Sequence, residues 1–136
     1  MAKRMRVAKV DVWTGTMADK PGALARKLGK LAAAKANLKF VLARRSRPGR
    51  GVLFAAPLKA GAAKKAGLKK SPKLKGVCVA GLDRPGLGAK MTGALAEAGI
   101  NIRGLSAAVV GREFVAYLAL DSAADANRAV KALKAM

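Results

Sequence analysis

Polar and apolar residues alternate over 7–13, with Val7, Lys9 and Asp11 set against Ala8, Val10 and Val12, which predicts a half-buried strand. After a turn at 14–20, Leu24, Leu28 and Leu31 recur at i, i+4 and i+7. That spacing predicts an amphipathic helix over 22–36, with Arg26, Lys27 and Lys30 elsewhere on its surface. Asn37 then breaks the helix, because asparagine takes the left-handed conformation cheaply. A strand follows at 38–43, a hairpin loop rich in Arg, Pro and Gly at 44–51, a third strand at 52–56 and an Ala/Lys helix at 59–68. Residues 69–76 read as a basic connector interrupted by Pro72, with room for a brief fourth strand between 69 and 74. The order then repeats. It gives a strand at 77–82 and a helix at 87–98 with Leu87, Met91 and Leu95 as its buried line. A strand region follows at 100–110 with a bulge at Gly104, then a tight turn at 111–113, a strand at 114–120 and a helix at 123–134 capped by Asp121 or Ser122. The second pass reaches Met136 with no room for a fourth strand of its own.

The two passes are one motif written twice. Asp19 and Asp83, Pro21 and Pro85, Gly22 and Gly86, Gly29 and Gly93, Leu31 and Leu95, and Asn37 and Asn101 all stand 64 positions apart. In each copy the Pro-Gly pair marks the passage from a strand into a helix. Pro presets φ, Gly permits a close turn, and the Asp before them is placed to cap the helix.

Charge separates the copies. The formal net charge is +21; residues 1–75 hold 21 Lys/Arg against 2 Asp/Glu, and residues 76–136 hold 7 against 5. Such asymmetry points to an anionic partner for the first half, with plain solubility as the other explanation. Two groups stand out: Arg44, Arg45, Arg47 and Arg50 in one loop, and Lys64, Lys65, Lys69, Lys70 and Lys73 towards the connector. Phosphate neutralisation by such residues gives salt-sensitive, sequence-blind affinity. Phe40, Phe54 and Trp13 are expected in the core, which leaves no stacking surface for bases. The single cysteine, Cys78, lies in an apolar strand, excludes a disulfide framework and fits a reducing cytoplasm. The basic N-terminus leads into no long apolar run, and no segment has a membrane-spanning composition. Without histidine, with one cysteine and with scattered acids, no metal site, catalytic triad or nucleotide loop is legible, so the chain reads as a non-enzyme without a cofactor.

The segments LDRPGLGAK and ADKPGALAR, each preceded by an apolar strand and followed by a helix and then Gly-Ile-Asn-Ile or Ala-Asn-Leu, resemble the ACT domain. The resemblance covers nearly the whole chain. It implies an α+β fold: two tandem ferredoxin-like units of order βαββα(β), residues 1–70 and 71–136, with antiparallel sheets and helices on one face. It further implies regulation by a small effector, an amino acid above all, bound at an interface between domains, and a homo-oligomer. The residues it marks are Asp83, Arg84, Pro85, Gly86, Leu87, Gly88, Asn101 and Ile102, with Asp19, Gly22 and Asn37 in the first copy. Chemistry agrees: a helix N-terminus suits a carboxylate, Asp83 or Asp19 an ammonium, and Asn101 or Asn37 either. The same residues also serve plain structural roles as cap, helix end and turn. The alternative function is a nucleic-acid binder, or a partner for an acidic protein, acting through the basic first half.

Overall fold

The computed structural model describes residues 5–71 and 74–136. The chain forms two compact units, each an antiparallel four-stranded sheet with helices on one face. Lys73, one of the expected anion-binding residues, lies outside the described residues.

The Asp11–Ser71 unit runs β2 (Trp13–Ala18), α1 (Ala23–Ala33), β3 (Phe40–Arg47), β4 (Arg50–Ala56), α2 (Ala60–Lys65) and β5 (Lys69–Lys70), in sheet order β3-β4-β2-β5. Its core gathers Leu31 of α1, Leu53 of β4, Ala63 of α2, Ala66 and Leu68, with Trp13, Met17, Leu24 and Leu28 packed around them. Trp13 therefore does face the core. Phe40 and Phe54 do not: they are half-buried and stand outside this cluster. Alternation along β4 explains it, since Leu53 and Ala55 point to the helices and Phe54 between them points away.

The other unit contains β6 (Lys75–Leu82), α3 (Leu87–Glu97), β7 (Ile102–Val110), β8 (Glu113–Leu120) and α4 (Ala123–Lys134). Its fourth strand comes from the start of the chain. β1 (Arg6–Val10) lies antiparallel to β6, giving the order β1-β6-β8-β7. The expected single strand at 7–13 is thus two strands in two sheets, and the expected turn at 14–20 is mostly β2. The division expected at residue 70 differs accordingly, because β1 belongs with the second copy. The pairing has a physical cause. Val7 is buried opposite Val79, and Lys9 donates to Asn127 Oδ1 of α4 at 2.7 Å. β6 would otherwise be an unpaired edge beside a full core. That core holds Leu87, Met91 and Leu95 of α3, Leu118 and Leu120 of β8, and Ala126, Ala129 and Leu133 of α4.

Local signals explain the ends of elements. α1 and α3 begin and end 64 positions apart. Three helices close on a left-handed residue, Lys35, Gly67 or Gly99, and the next residue's N–H returns to the last turn: Ala36 to Leu31 O, Leu68 to Ala63 O, Ile100 to Leu95 O. Lys35, not Asn37, is thus the left-handed residue after α1. Ser122 caps α4 by accepting from Asp125 N at 3.1 Å. The register of β7 on β8 shifts between Ile102 and Gly104, which is the expected bulge. Cys78 is only half-buried, on the sheet face away from the helices and opposite Tyr117.

Candidate functional site

The strand-to-helix turn has the same build in both units. β6 ends at Leu82, and Asp83 N donates to Arg112 O at 2.8 Å, tying the turn to the β7–β8 hairpin. In the other unit β2 ends at Ala18, and Asp19 N donates to Gly49 O in the β3–β4 hairpin. Each helix is then entered through a left-handed glycine, Gly86 at φ 81° and Gly22 at φ 86°. Only glycine takes that conformation without steric cost, so these two positions are fixed by geometry.

Neither helix has a side-chain cap. The expected capping role of Asp83 and Asp19 is therefore absent, because Gly86 and Gly22, three residues further on, take the N-cap positions. An uncapped first turn offers N–H groups without intrahelical acceptors, at the positive end of the helix dipole. Around α3, Asp83, Arg84, Pro85 and Gly86 are exposed, Gly88 is half-buried, and Leu87 is buried as the first core residue of the helix. A Cβ added at Gly88 would meet nothing within 4 Å, so open space lies over the first turn.

The two carboxylates differ. Asp19 is held by Arg45, whereas Asp83 makes no ion pair among the described residues. Asp83 is the better placed to meet a cation.

The sheet register decides which expected residues come together. Leu82 and Val110 both pair with Glu113, while Lys75 and Ile102 both pair with Leu120. The 83–88 turn and the Asn101–Ile102 pair hence lie at opposite ends of the same sheet, about 25 Å apart along the strands. The first copy repeats this: β2 leads to Asp19 at the Arg50 end, and Asn37 precedes β3 at the Ala56 end. Asn101 and Asn37 are exposed in their loops. Within one unit the turn and the asparagine cannot share a ligand.

Beside the 83–88 turn the structure adds residues that sequence reasoning missed. A cleft of about 300 Å³ is lined by Arg6, Gly81, Leu82, Val110, Arg112 and Glu113. Arg6 and Glu113 form an ion pair, and Leu82 and Val110 are 47% and 74% exposed, which leaves apolar surface open to a guest. No local motif marks these residues, because Arg6 arrives with β1 from the far end of the chain.

Tyr117, on the sheet face opposite the helices, has its phenol pushed up to about 12 by burial, with a side-chain hydrogen bond to Cys78 and its charge adding to the shift. No helix among the described residues is long and apolar enough to cross a membrane.

Residues 79–136 match the family model described as the ACT domain. No curated protein matches the sequence. Solved structures do. A protein from Bacteroides thetaiotaomicron aligns at a TM-score of 0.75 and 19% identity, over 93% of this chain and 88% of that one. The regulatory subunit of aspartate kinase from Thermus thermophilus, in its ligand-free form, aligns at 0.68 and 18%, over 97% and 95%. Aspartate kinase from Synechocystis aligns at 0.67 and 18%, over 98% of this chain and 26% of that one. At these identities the likeness is one of fold.

Proposed function

We propose that the protein is a non-catalytic regulatory module that binds a free amino acid at the 83–88 turn, a reading supported by the match of residues 79–136 to the ACT-domain model. The observation that carries this reading is the uncapped entry to α3 beside Asp83, which makes no ion pair among the described residues. An amino acid brings a carboxylate for the helix N-terminus and an ammonium for Asp83. The adjoining cleft adds Arg112 for an anionic group and Leu82 and Val110 for an apolar side chain, while Arg6 and Glu113 on its wall neutralise each other. A regulatory subunit of aspartate kinase among structures of the same fold supports the regulatory role.

The reading includes a homo-oligomer. β7 is an edge strand with Leu105, Val109 and Val110 exposed, and such an edge invites pairing. Antiparallel pairing of β7 with β7 of a second copy would carry Asn101 of that copy to the end of the sheet where the 83–88 turn lies. The separation of turn and asparagine within one unit then has a purpose, because ligand and assembly become coupled. The first copy, with Asp19 already held by Arg45, is the weaker site.

The test is thermal denaturation of the full chain against each of the twenty amino acids. A ligand at about 100 times its Kd adds about 2.7 kcal/mol of stability. A few amino acids are expected to raise the melting temperature, and Asp83→Ala and Asn101→Ala should each abolish the shift. A screen in which none acts ends this reading.

A further inference from the structure

The β3–β4 hairpin presents a charge arrangement that the amino-acid site does not use. Residues 44–50 are all exposed. The Asp11–Ser71 unit has five arginines and ten lysines, and four of the five arginines, Arg44, Arg45, Arg47 and Arg50, fall within these seven residues. Solubility alone asks for cations of either kind, whereas a planar guanidinium is the group that grips an oxyanion with two hydrogen bonds.

A bulge arranges them. In regular register Ser46 would stand opposite Arg50. The register instead shifts between Arg45 and Arg47, so that Arg47 faces Arg50 directly while Arg44 faces Val52. Residues opposite one another point to the same side of a sheet. Arg44, Arg47 and Arg50 therefore share the face away from the helices, with Arg47 about 5 Å across from Arg50 and Arg44 about 7–8 Å from either. Arg50 reaches Thr16 Oγ1 at 3.5 Å on that face, and Ser46 turns back to donate to Arg50 O at 3.2 Å. Arg45 points the other way and is held by Asp19. Arg44, Arg47 and Arg50 make no ion pair among the described residues. Like charges directly opposite on a sheet are destabilising unless something neutralises them.

We propose that this bulged hairpin docks on the phosphate backbone of duplex DNA, with Arg44, Arg47 and Arg50 each neutralising a phosphate. Three features select that partner. The segment 44–50 has no aromatic and, apart from Pro48, no apolar side chain, so it lacks the large anchor a protein interface is built on, which backbone contacts do not need. Phe40 and Phe54 lie further along this same face, but both are half-buried, and 44–50 itself has no aromatic ring on which single-stranded bases could stack. And a two-stranded ribbon is the β element that the major groove admits.

The experiment is fluorescence anisotropy of the full chain with a labelled duplex of mixed sequence, between about 50 and about 200 mM salt. The affinity should fall linearly on logarithmic axes. The triple variant Arg44→Gln, Arg47→Gln, Arg50→Gln should flatten the slope by about 2.7, which is three phosphates at about 0.9 each. A control with Arg26→Gln, Lys30→Gln and Lys64→Gln removes the same charge from α1 and α2 and should leave the slope within about one of the parent. Circular dichroism checks that both variants fold. The proposal is overturned by no duplex binding at the lowest salt, by equal losses in the two variants, by a single strand binding more tightly than the duplex, or by polyglutamate displacing the duplex as well as unlabelled DNA does. None of these outcomes bears on the amino-acid screen, which reads the other unit.

Discussion

Gly86 and Gly22 show how much one residue can settle. Each sits near φ 80°, and each passes the chain into a helix without any side chain over its first N–H groups. Asp-x-Pro-Gly predicts a capping aspartate, because Asp is a strong N-cap and stands near a helix start. The left-handed glycine moves the N-cap three positions on and frees Asp83. Tyr117 makes a residue-scale prediction of a different kind. It is the single tyrosine, so its titration is read directly by tyrosinate absorbance. Folded, it should ionise near about 12, against about 10 in denaturant. The raised pKa means the folded state holds this proton more tightly. The stabilisation is complete below pH about 10 and is lost as the pH rises towards about 12. Cys78→Ala should lower the folded midpoint while leaving the denatured one in place; a folded midpoint near 10 would show that the phenol is not shielded on this face.

Among elements, β1 is the one whose place decides most. It completes the sheet of the second copy and brings Arg6 to the cleft beside the 83–88 turn. Val7 is 7% exposed, and Val7→Ala should lower the stability of that unit by about 1–2 kcal/mol. The measurement that locates the loss is hydrogen exchange. Amides of β6 and β1 should lose protection, while those of α1, β2 and β4 keep theirs. Equal loss in both units would mean that they unfold together. β7, the opposite edge of the same sheet, has the reverse character: it is long and apolar, pairs with β8 on one side only, and its bulge at Gly104 bends only one end.

For the whole molecule, charge is distributed by unit more than by surface. The Asp11–Ser71 unit holds 15 Lys/Arg against 2 Asp/Glu, leaving 13 against 5 for the rest of the chain. Both acids of the basic unit are already engaged, Asp11 with Lys70 and Asp19 with Arg45. Self-repulsion of this kind destabilises the compact state and is screened by salt. Raising sodium chloride from low concentration to about 0.3 M, where charges a Debye length apart are screened, should raise the melting temperature. The gain in exchange protection should be larger for Asp11–Ser71 than for the rest of the chain. A melting temperature that is flat or falls with salt would mean that the charges are too dispersed to repel.

Local signals in the sequence were enough for the repeat, the four helices, the Gly104 bulge, the Pro-Gly turns and the buried line of α3, because periodicity, turn chemistry and caps act over a few residues. They were also enough to mark the 83–88 turn. Tertiary structure alone decided that residues 6–10 join the sheet of the second copy, that Phe40 and Phe54 face away from their core, that Asn101 lies at the far end of the sheet from Asp83, and that Arg44, Arg47 and Arg50 share a face. Each of these is a matter of strand partner or register. A strand's alternation says that it has two faces; which face is inside, and which neighbour it meets, is set by hydrogen bonds and packing with residues distant in the chain.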